Sequence, residues 1–225
     1  MHNNAIIIVD MLNDFISKDG SLYVPGSEKL IPRIRNIVDV AHKIGTQVVY
    51  VCDSHSNDDP EFKSWPKHCV SGTHGAKIIE ELNPERQGGG KNFYPGTNNP
   101  PDLIIEKNKL SALSSFHFRC WLNEWTLLSQ ELNAPTDIYI VGVATEYCIL
   151  SLVKDLRKEY KYRVSVVSDC IAGVDLKPGD TVEAINEIGR LANFVRSDNL
   201  VNSLKARNID IYGNLPKQLY DEWRL

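Results

Sequence analysis

Cys148 is the residue of this chain best set for covalent chemistry. It lies in residues 137–150 (DIYIVGVATEYCIL), where the apolar, β-branched run 138–143 has the character of a fully buried strand. From Thr145 the pattern turns helical, with Ile149, Leu152, Val153 and Leu156 on one face and Thr145 as the expected N-cap. The thiol is therefore expected in the first turn of a helix that follows a core strand. Unpaired N–H groups and the positive end of the helix dipole favour thiolate there and can bind a developing oxyanion. The competing reading is a buried core cysteine, since free thiols are often buried.

Two other segments could supply a base and a cation. In IIIVDMLNDF, Asp10 follows five apolar residues, so its carboxylate sits at the rim of a buried strand and could deprotonate a thiol. An Asx-type turn at the strand end is the alternative, and Asp14, further along, suits turn hydrogen bonds better than catalysis. In IIEKNKLSAL, Lys107 or Lys109 could ion-pair with an aspartate and hold a thiolate or anionic intermediate. Spacing does not choose between them, and a solvated loop lysine is the alternative for either.

A metal site is the third possibility. In CDSHSNDDPEFKSWPKHCVSGTHGA, Asp53 and His55 stand two apart at a strand end and His68 can join them from a proline-braced loop. Carboxylate with imidazole suits one divalent ion, zinc first, with iron(II) or manganese(II) as alternatives. Glu61 is the candidate fourth ligand, ahead of Asp58 and Asp59. Cys52 and Cys69 flank the set, but the neighbours of ligands usually point away from the ion. Three of the six histidines (His55, His68, His74) fall within about twenty residues, which weakens the alternative of a polar loop with chance histidines. GGGK at 88–91 follows no strand and lacks the Ser or Thr of a phosphate-binding loop.

The elements that must position these groups alternate strand and helix. Strands are expected at 5–9, 47–52, 103–105, 138–143 and 163–167, with a sixth at 209–212. Helical patterns occupy 32–44, 181–192 and 199–206. This order implies α/β architecture: one three-layer α/β/α domain over 1–225, Rossmann-like, with a six-stranded, mainly parallel sheet. The stretch 87–101 (QGGGKNFYPGTNNPP) is a Gly-, Pro- and Asn-rich loop rather than a domain linker. In an open parallel sheet, ligands bind beyond the carboxyl ends of the strands. Asp10, Asp53, Lys107 and Cys148 stand at or just after four such ends, so one rim collects them all.

Composition narrows the function classes. The chain has 225 residues, 25 Lys and Arg against 29 Asp and Glu, and a formal charge of −4. Without a basic run it is poor material for binding nucleic acid or an anionic membrane. Five widely spaced cysteines without a CxxC suit a reducing compartment, and neither a signal peptide nor a transmembrane stretch is read, so a cytoplasmic location is expected.

Taken in order, IIIVDMLNDF, CDSH, EFKSWPKHCVSGTHGA, EKNKLSAL and VGVATEYCIL resemble the isochorismatase-like cysteine hydrolases, and within them the nicotinamidase/pyrazinamidase branch; DCIAG at 169–173 is a weaker match. The resemblance implies an Asp–Lys–Cys triad of Asp10 as base, Lys107 rather than Lys109, and Cys148 as nucleophile. It also implies a cis peptide at Val143–Ala144 and an oxyanion hole from the N–H groups of Ala144 and Cys148. The metal set maps to Asp53, His55 and His68 with Glu61, and Phe15 and Trp65 match aromatic positions that flank the substrate ring. The implied reaction is hydrolysis of nicotinamide to nicotinate and ammonia, with pyrazinamide also accepted, in NAD salvage. Relatives commonly form homodimers or tetramers. Leu12 stands where the family often has Gln, and Leu110 and Leu113 where it has aromatic residues. These differences leave room for another small amide or carbamoyl substrate.

Overall fold

Alternating positions along the first strand are all apolar, and the fold uses both faces of it. In the computed structural model, which describes residues 3–84, 102–131, 136–160 and 162–213, β1 (Asn3–Val9) turns Ile6 and Ile8 to one side of a sheet and Ala5, Ile7 and Val9 to the other. All five are at most 1 % exposed, which requires covering layers on both faces. On the Ile6 side lie α2 (Ile31–Lys43), through Ile34, Ile37, Val38 and Ala41, and α6 (Ser197–Gly213), through Leu200, Val201 and Leu204. On the other side lie α3 (Phe116–Glu131), α4 (Leu150–Glu159) and α5 (Asp180–Leu191), which contribute Phe118, Leu122, Leu152, Val153 and Ile188. Each fully buried Ile or Leu stabilises the fold by about 1.5–3 kcal/mol.

Among the described residues the sheet has six strands in the order β3-β2-β1-β4-β5-β6, all paired in parallel: β2 (Gln47–Asp53), β3 (Leu103–Lys107), β4 (Thr136–Val143), β5 (Arg163–Ala172) and β6 (Asn193–Val195). The chain winds outward from β1 in one direction and from β4 in the other. The crevice between β1 and β4, beyond their carboxyl ends, is thus the switch point where open α/β sheets bind ligands. The short helix α1 (Asn13–Ile16) follows β1 directly. The expected 87–101 loop lies outside the described residues.

Two expectations are corrected. The segment 209–212 is not a strand: α6 runs through it to Gly213. Its Ile-Asp-Ile-Tyr alternation imitates a strand, but the helix has been started upstream by a strong cap. The Asp169 carboxylate accepts from the Ser197 backbone N–H at 2.8 Å and from its hydroxyl at 2.7 Å. The sixth strand is the three-residue edge β6, too short to show a period, held by pairing with β5. The second correction concerns Thr145, which does not cap a helix. It begins a single π turn, Thr145–Ile149, that precedes α4, and its buried hydroxyl has no hydrogen-bond partner.

Gly142 is the tightest point between the two central strands. Its φ is +117°, and a Cβ there would lie 2.0 Å from the Val9 carbonyl oxygen, one residue before Asp10. Gly142→Ala is expected to lower unfolding stability by at least about 3 kcal/mol through overpacking and backbone strain. A urea titration checks this: the midpoint falls at unchanged slope, and an unchanged midpoint would contradict the close approach.

Candidate active site

Each strand end delivers one group to the crevice. Asp10 leaves β1 with a left-handed φ of +53°, unusual for a non-glycine residue, after its N–H has extended the ladder to the Val51 carbonyl at 2.8 Å. Its buried carboxylate accepts the Asp53 N–H at 2.8 Å through Oδ1. Lys107 closes β3, paired in register with Asp53. Its Nζ lies 3.0 Å from Asp10 Oδ2, 3.1 Å from Asp53 Oδ1 and 3.5 Å from Cys148 Sγ. Lys109 is exposed, so the geometry selects Lys107. Cys148 sits in the π turn after β4, and the Val143–Ala144 peptide before that turn is cis.

The ionisation of these groups follows from burial and from one another. Burial pushes the Cys148 thiol well above its ordinary value, and the neighbouring Asp10 charge pushes the same way against Lys107. Burial and Asp10 thus oppose the pull of a helix start toward thiolate and favour the protonated sulfur. Burial also raises the Asp10 carboxyl, partly offset by Lys107. Burial would lower Lys107, but Asp10, Cys148 and Asp53 outweigh it and keep the ammonium firmly protonated.

The other oxygen of Asp53 faces two imidazoles. Asp53 Oδ2 lies 2.9 Å from His55 Nε2 and 3.3 Å from His68 Nε2, and Glu61 Oε1 is 3.9 Å from His68 Nε2. Residues 54–56 and 69–71 are tied by backbone bonds, His55 N–H to Cys69 O and Ser71 N–H to His55 O, which swings His68 into place. Asp14, once a rival base, secures that loop by accepting the Cys69 N–H at 2.7 Å. Asp53, His55 and His68 offer ligand atoms within 4.8 Å of one another. Both Nδ1 atoms are engaged away from the cluster, His55 with Asp59 Oδ2 at 3.0 Å and His68 with the Pro66 carbonyl at 2.8 Å. Such second contacts leave each Nε2 lone pair for a metal, so the donor set fits a divalent ion. Asp59 bonds His55 on the side away from Asp53 and forms a second group of possible ligand atoms with His55 and Glu61, whereas Asp58 is exposed. Cys52 and Cys69 pack into the core, so the thiolate alternative has no support.

A cavity of about 300 Å³ opens on these groups, lined by Asp10, Asp53, Glu61, His68, Ala144 and Cys148. Phe15 and Trp65 form part of its wall. Leu110 lines it too, whereas Leu12 and Leu113 are fully buried in the core and do not touch it. Sequence reasoning missed Leu22, Tyr23, Tyr147, Val174 and Leu176 on the same wall. Tyr147 adjoins the cysteine and meets Trp65 edge-on at 5.5 Å, so proximity in sequence could have found it. The others sit in aperiodic loops that carry no signal.

The isochorismatase domain profile matches residues 4–198. A nicotinamidase/pyrazinamidase of Mycobacterium tuberculosis is 29 % identical, covering 82 % of this chain and 93 % of its own. The zinc complex of Pyrococcus horikoshii pyrazinamidase superposes with a TM-score of 0.65 at 26 % identity, over 86 % of this chain and 99 % of that one. N-carbamoylsarcosine amidase from Thermoplasma acidophilum gives 0.64 at 26 % identity, over 88 % and 98 %. Among the described residues no helix is long and apolar enough to cross a membrane.

His55 carries a pH consequence. Its bond to Asp53 raises it to about 9 despite burial, with Asp59 adding to the effect. In the metal-free protein that charged contact is fully stabilising below the unfolded value of about 6.5 and is lost as pH rises through about 9. A metal must displace this proton. Its affinity, measured by chelator competition, is expected to rise at least about tenfold per pH unit up to about pH 9, more steeply where His68 is also protonated, and then level off. A flat profile below that pH would exclude His55 as a ligand.

Proposed function

The chain belongs to the isochorismatase family, and on that premise we propose that it is a metal-containing cysteine amidohydrolase converting nicotinamide to nicotinate and ammonia through a thioester. One observation carries the proposal: a single buried ammonium, Lys107 Nζ, touches Asp10, Asp53 and Cys148 at a cavity that also presents His68 and Glu61. A thiol with its base and a separate imidazole–carboxylate set suit a small amide that carries a second, Lewis-basic nitrogen. Pyridine and pyrazine carboxamides have that form.

In the proposed cycle, Asp10 takes the Cys148 proton as Sγ bonds the carboxamide carbon and the carbonyl electron pair moves to oxygen. The N–H groups of Ala144 and Cys148, both on the cavity wall, hold that oxygen, a contribution of about 3–4 kcal/mol for each well-placed donor. The C–N bond then breaks, Asp10 passes its proton to the departing nitrogen, and ammonia leaves the acyl group on sulfur. Asp10 next takes a proton from water as the water oxygen bonds the acyl carbon. The C–S bond breaks, the thiol regains its proton and the carboxylate product departs. Lys107 keeps Asp10 ionised between steps and offsets the negative charge of the tetrahedral species. Asp53, His55, His68 and Glu61 would hold a divalent ion, which would supply a Lewis-acid site for the ring nitrogen. Phe15 and Trp65 flank the ring.

Leu110 on the wall supports a second reading, a metal-independent relative's activity on another small amide or carbamoyl compound. Ammonia release from nicotinamide, pyrazinamide, N-carbamoylsarcosine and ureidoacrylate separates the two. The two ring amides are expected to give the highest kcat/KM, and thorough metal removal to raise their KM. A carbamoyl compound in first place, or a KM indifferent to metal, would favour the second reading. Cys148→Ser is expected to lower kcat by about 10³-fold or more, and near-normal turnover would exclude the thioester. Since only ionised Asp10 accepts the proton and burial raises its carboxyl, kcat/KM should fall on the acid side at a pH above the ordinary aspartate value of about 3.9.

A further inference from the structure

Glu146, two residues before Cys148 in the π turn, turns away from the thiol and gathers a distant loop. Its Oε1 accepts from the Val174 N–H at 2.8 Å, the Asp175 N–H at 2.6 Å and the Thr181 hydroxyl at 3.2 Å. Its Oε2 is buried without a hydrogen-bond partner. At Gly173 a Cβ would stand 2.2 Å from Thr181 Oγ1 and 2.5 Å from Glu146 Oε2, so the loop passes as close to this side chain as a glycine allows. Asp175 is itself bent into a left-handed φ of +56°, and its Oδ1 accepts the Gly179 and Thr181 N–H groups at 3.0 and 3.1 Å, at the start of α5. The residues on either side of Asp175 are Val174 and Leu176, and both line the cavity.

These contacts have a common geometric outcome. Leu176 is 57 % exposed, yet it lines the cavity onto which Cys148 opens. The backbone that carries it is fixed by Glu146, whose own position is set by the turn that presents Cys148. The nucleophile and the apolar wall are thereby referred to one element. We propose that Glu146 is a positioning residue that clamps segment 174–176 as the apolar wall of the substrate cavity, so that recognition of the substrate's apolar part depends on it while the reactivity of the thiol does not. The amide-hydrolase reading gives this wall its substrate, but the clamp is testable without it.

The test compares alkylation of Cys148 by iodoacetamide and by N-phenyl-iodoacetamide, with rates normalised to glutathione and the site verified by peptide mass. In the wild-type protein the wall favours the phenyl reagent. Glu146→Ala is expected to lower the phenyl-to-parent rate ratio about tenfold with the iodoacetamide rate itself nearly unchanged. Glu146→Gln, whose amide oxygen can accept the same three bonds, should restore the ratio. On nicotinamide, Glu146→Ala should raise KM about tenfold and leave kcat within about threefold. An unchanged ratio would overturn the proposal. So would equal slowing with both reagents, which would make Glu146 a support of the nucleophile turn. Should Glu146→Ala not fold, Thr181→Val removes one of the three donors; an unchanged ratio there, alongside a lowered one in Leu176→Ala, would overturn the clamp. If the wild type hydrolyses no amide, the functional reading falls and the alkylation ratios still decide the clamp.

Discussion

Lys107 Nζ has Asp10 at 3.0 Å, Asp53 at 3.1 Å and Cys148 Sγ at 3.5 Å, and its side chain is 1 % exposed. An ammonium so placed survives burial only because two carboxylates surround it, and those carboxylates tolerate each other only because it stands between them. Removing one member of such a buried set typically costs about 3–5 kcal/mol, because the charge left behind has no solvent to turn to. The three charges leave one negative charge over. On the far oxygen of Asp53 that charge meets His55 and His68, which hold protons or, with protons displaced, present the lone pairs a divalent ion needs. One constraint of charge balance thus runs from the thiol through the lysine to the imidazole cluster.

The parallel sheet is what permits this crowding. Asp10, Asp53 and Lys107 come from the ends of β1, β2 and β3, adjacent in the sheet, and Cys148 from just past β4 on the other side of β1. Strand spacing in a sheet is about 4.8 Å, so neighbouring strand ends bring their side chains within contact without any loop having to fold back. The lysine's length spans the β2 end to reach Asp10. Gly142 is part of the same arrangement, because only a residue without Cβ lets β4 approach the Val9 carbonyl so closely.

Much of this was legible in the sequence. Strands whose apolar run ends in Asp or Lys announced three of the groups, Asp10, Asp53 and Lys107, since the interruption of a buried run is conspicuous, and Cys148 showed itself just after the fourth strand. The Asp53–His55–His68 cluster was legible because histidine is uncommon and three stood together, of which His55 and His68 join it. What escaped reading depends on three-dimensional packing without period. Leu22, Tyr23, Val174 and Leu176 reach the cavity from irregular loops. The edge strand β6 has three residues and exists only through β5, while the alternation at 209–212 was overridden by a helix begun at Ser197. Choosing Lys107 over Lys109 from spacing alone was impossible; burial in the folded sheet, or resemblance to a family, was needed.

The thiol's ionisation shows why a local rule can mislead at such a site. A helix start favours a nearby anion by about 0.3–1 kcal/mol, and up to about 2 kcal/mol when partly buried. Full burial can shift an ionisable group by about 3–5 pKa units, at about 1.4 kcal/mol each, so desolvation exceeds the dipole several-fold. With Asp10 adding repulsion, Cys148 rests as a thiol beside a carboxylate that burial has itself made a stronger base. The pair holds a single proton that neither surrenders to solvent readily, and Lys107 offsets whichever partner carries the charge. In the proposed cycle a carbonyl carbon at Sγ would be the acceptor for the sulfur electrons, with backbone N–H groups to receive the charge on oxygen. Proton transfer to Asp10 in that cycle therefore accompanies attack instead of preceding it.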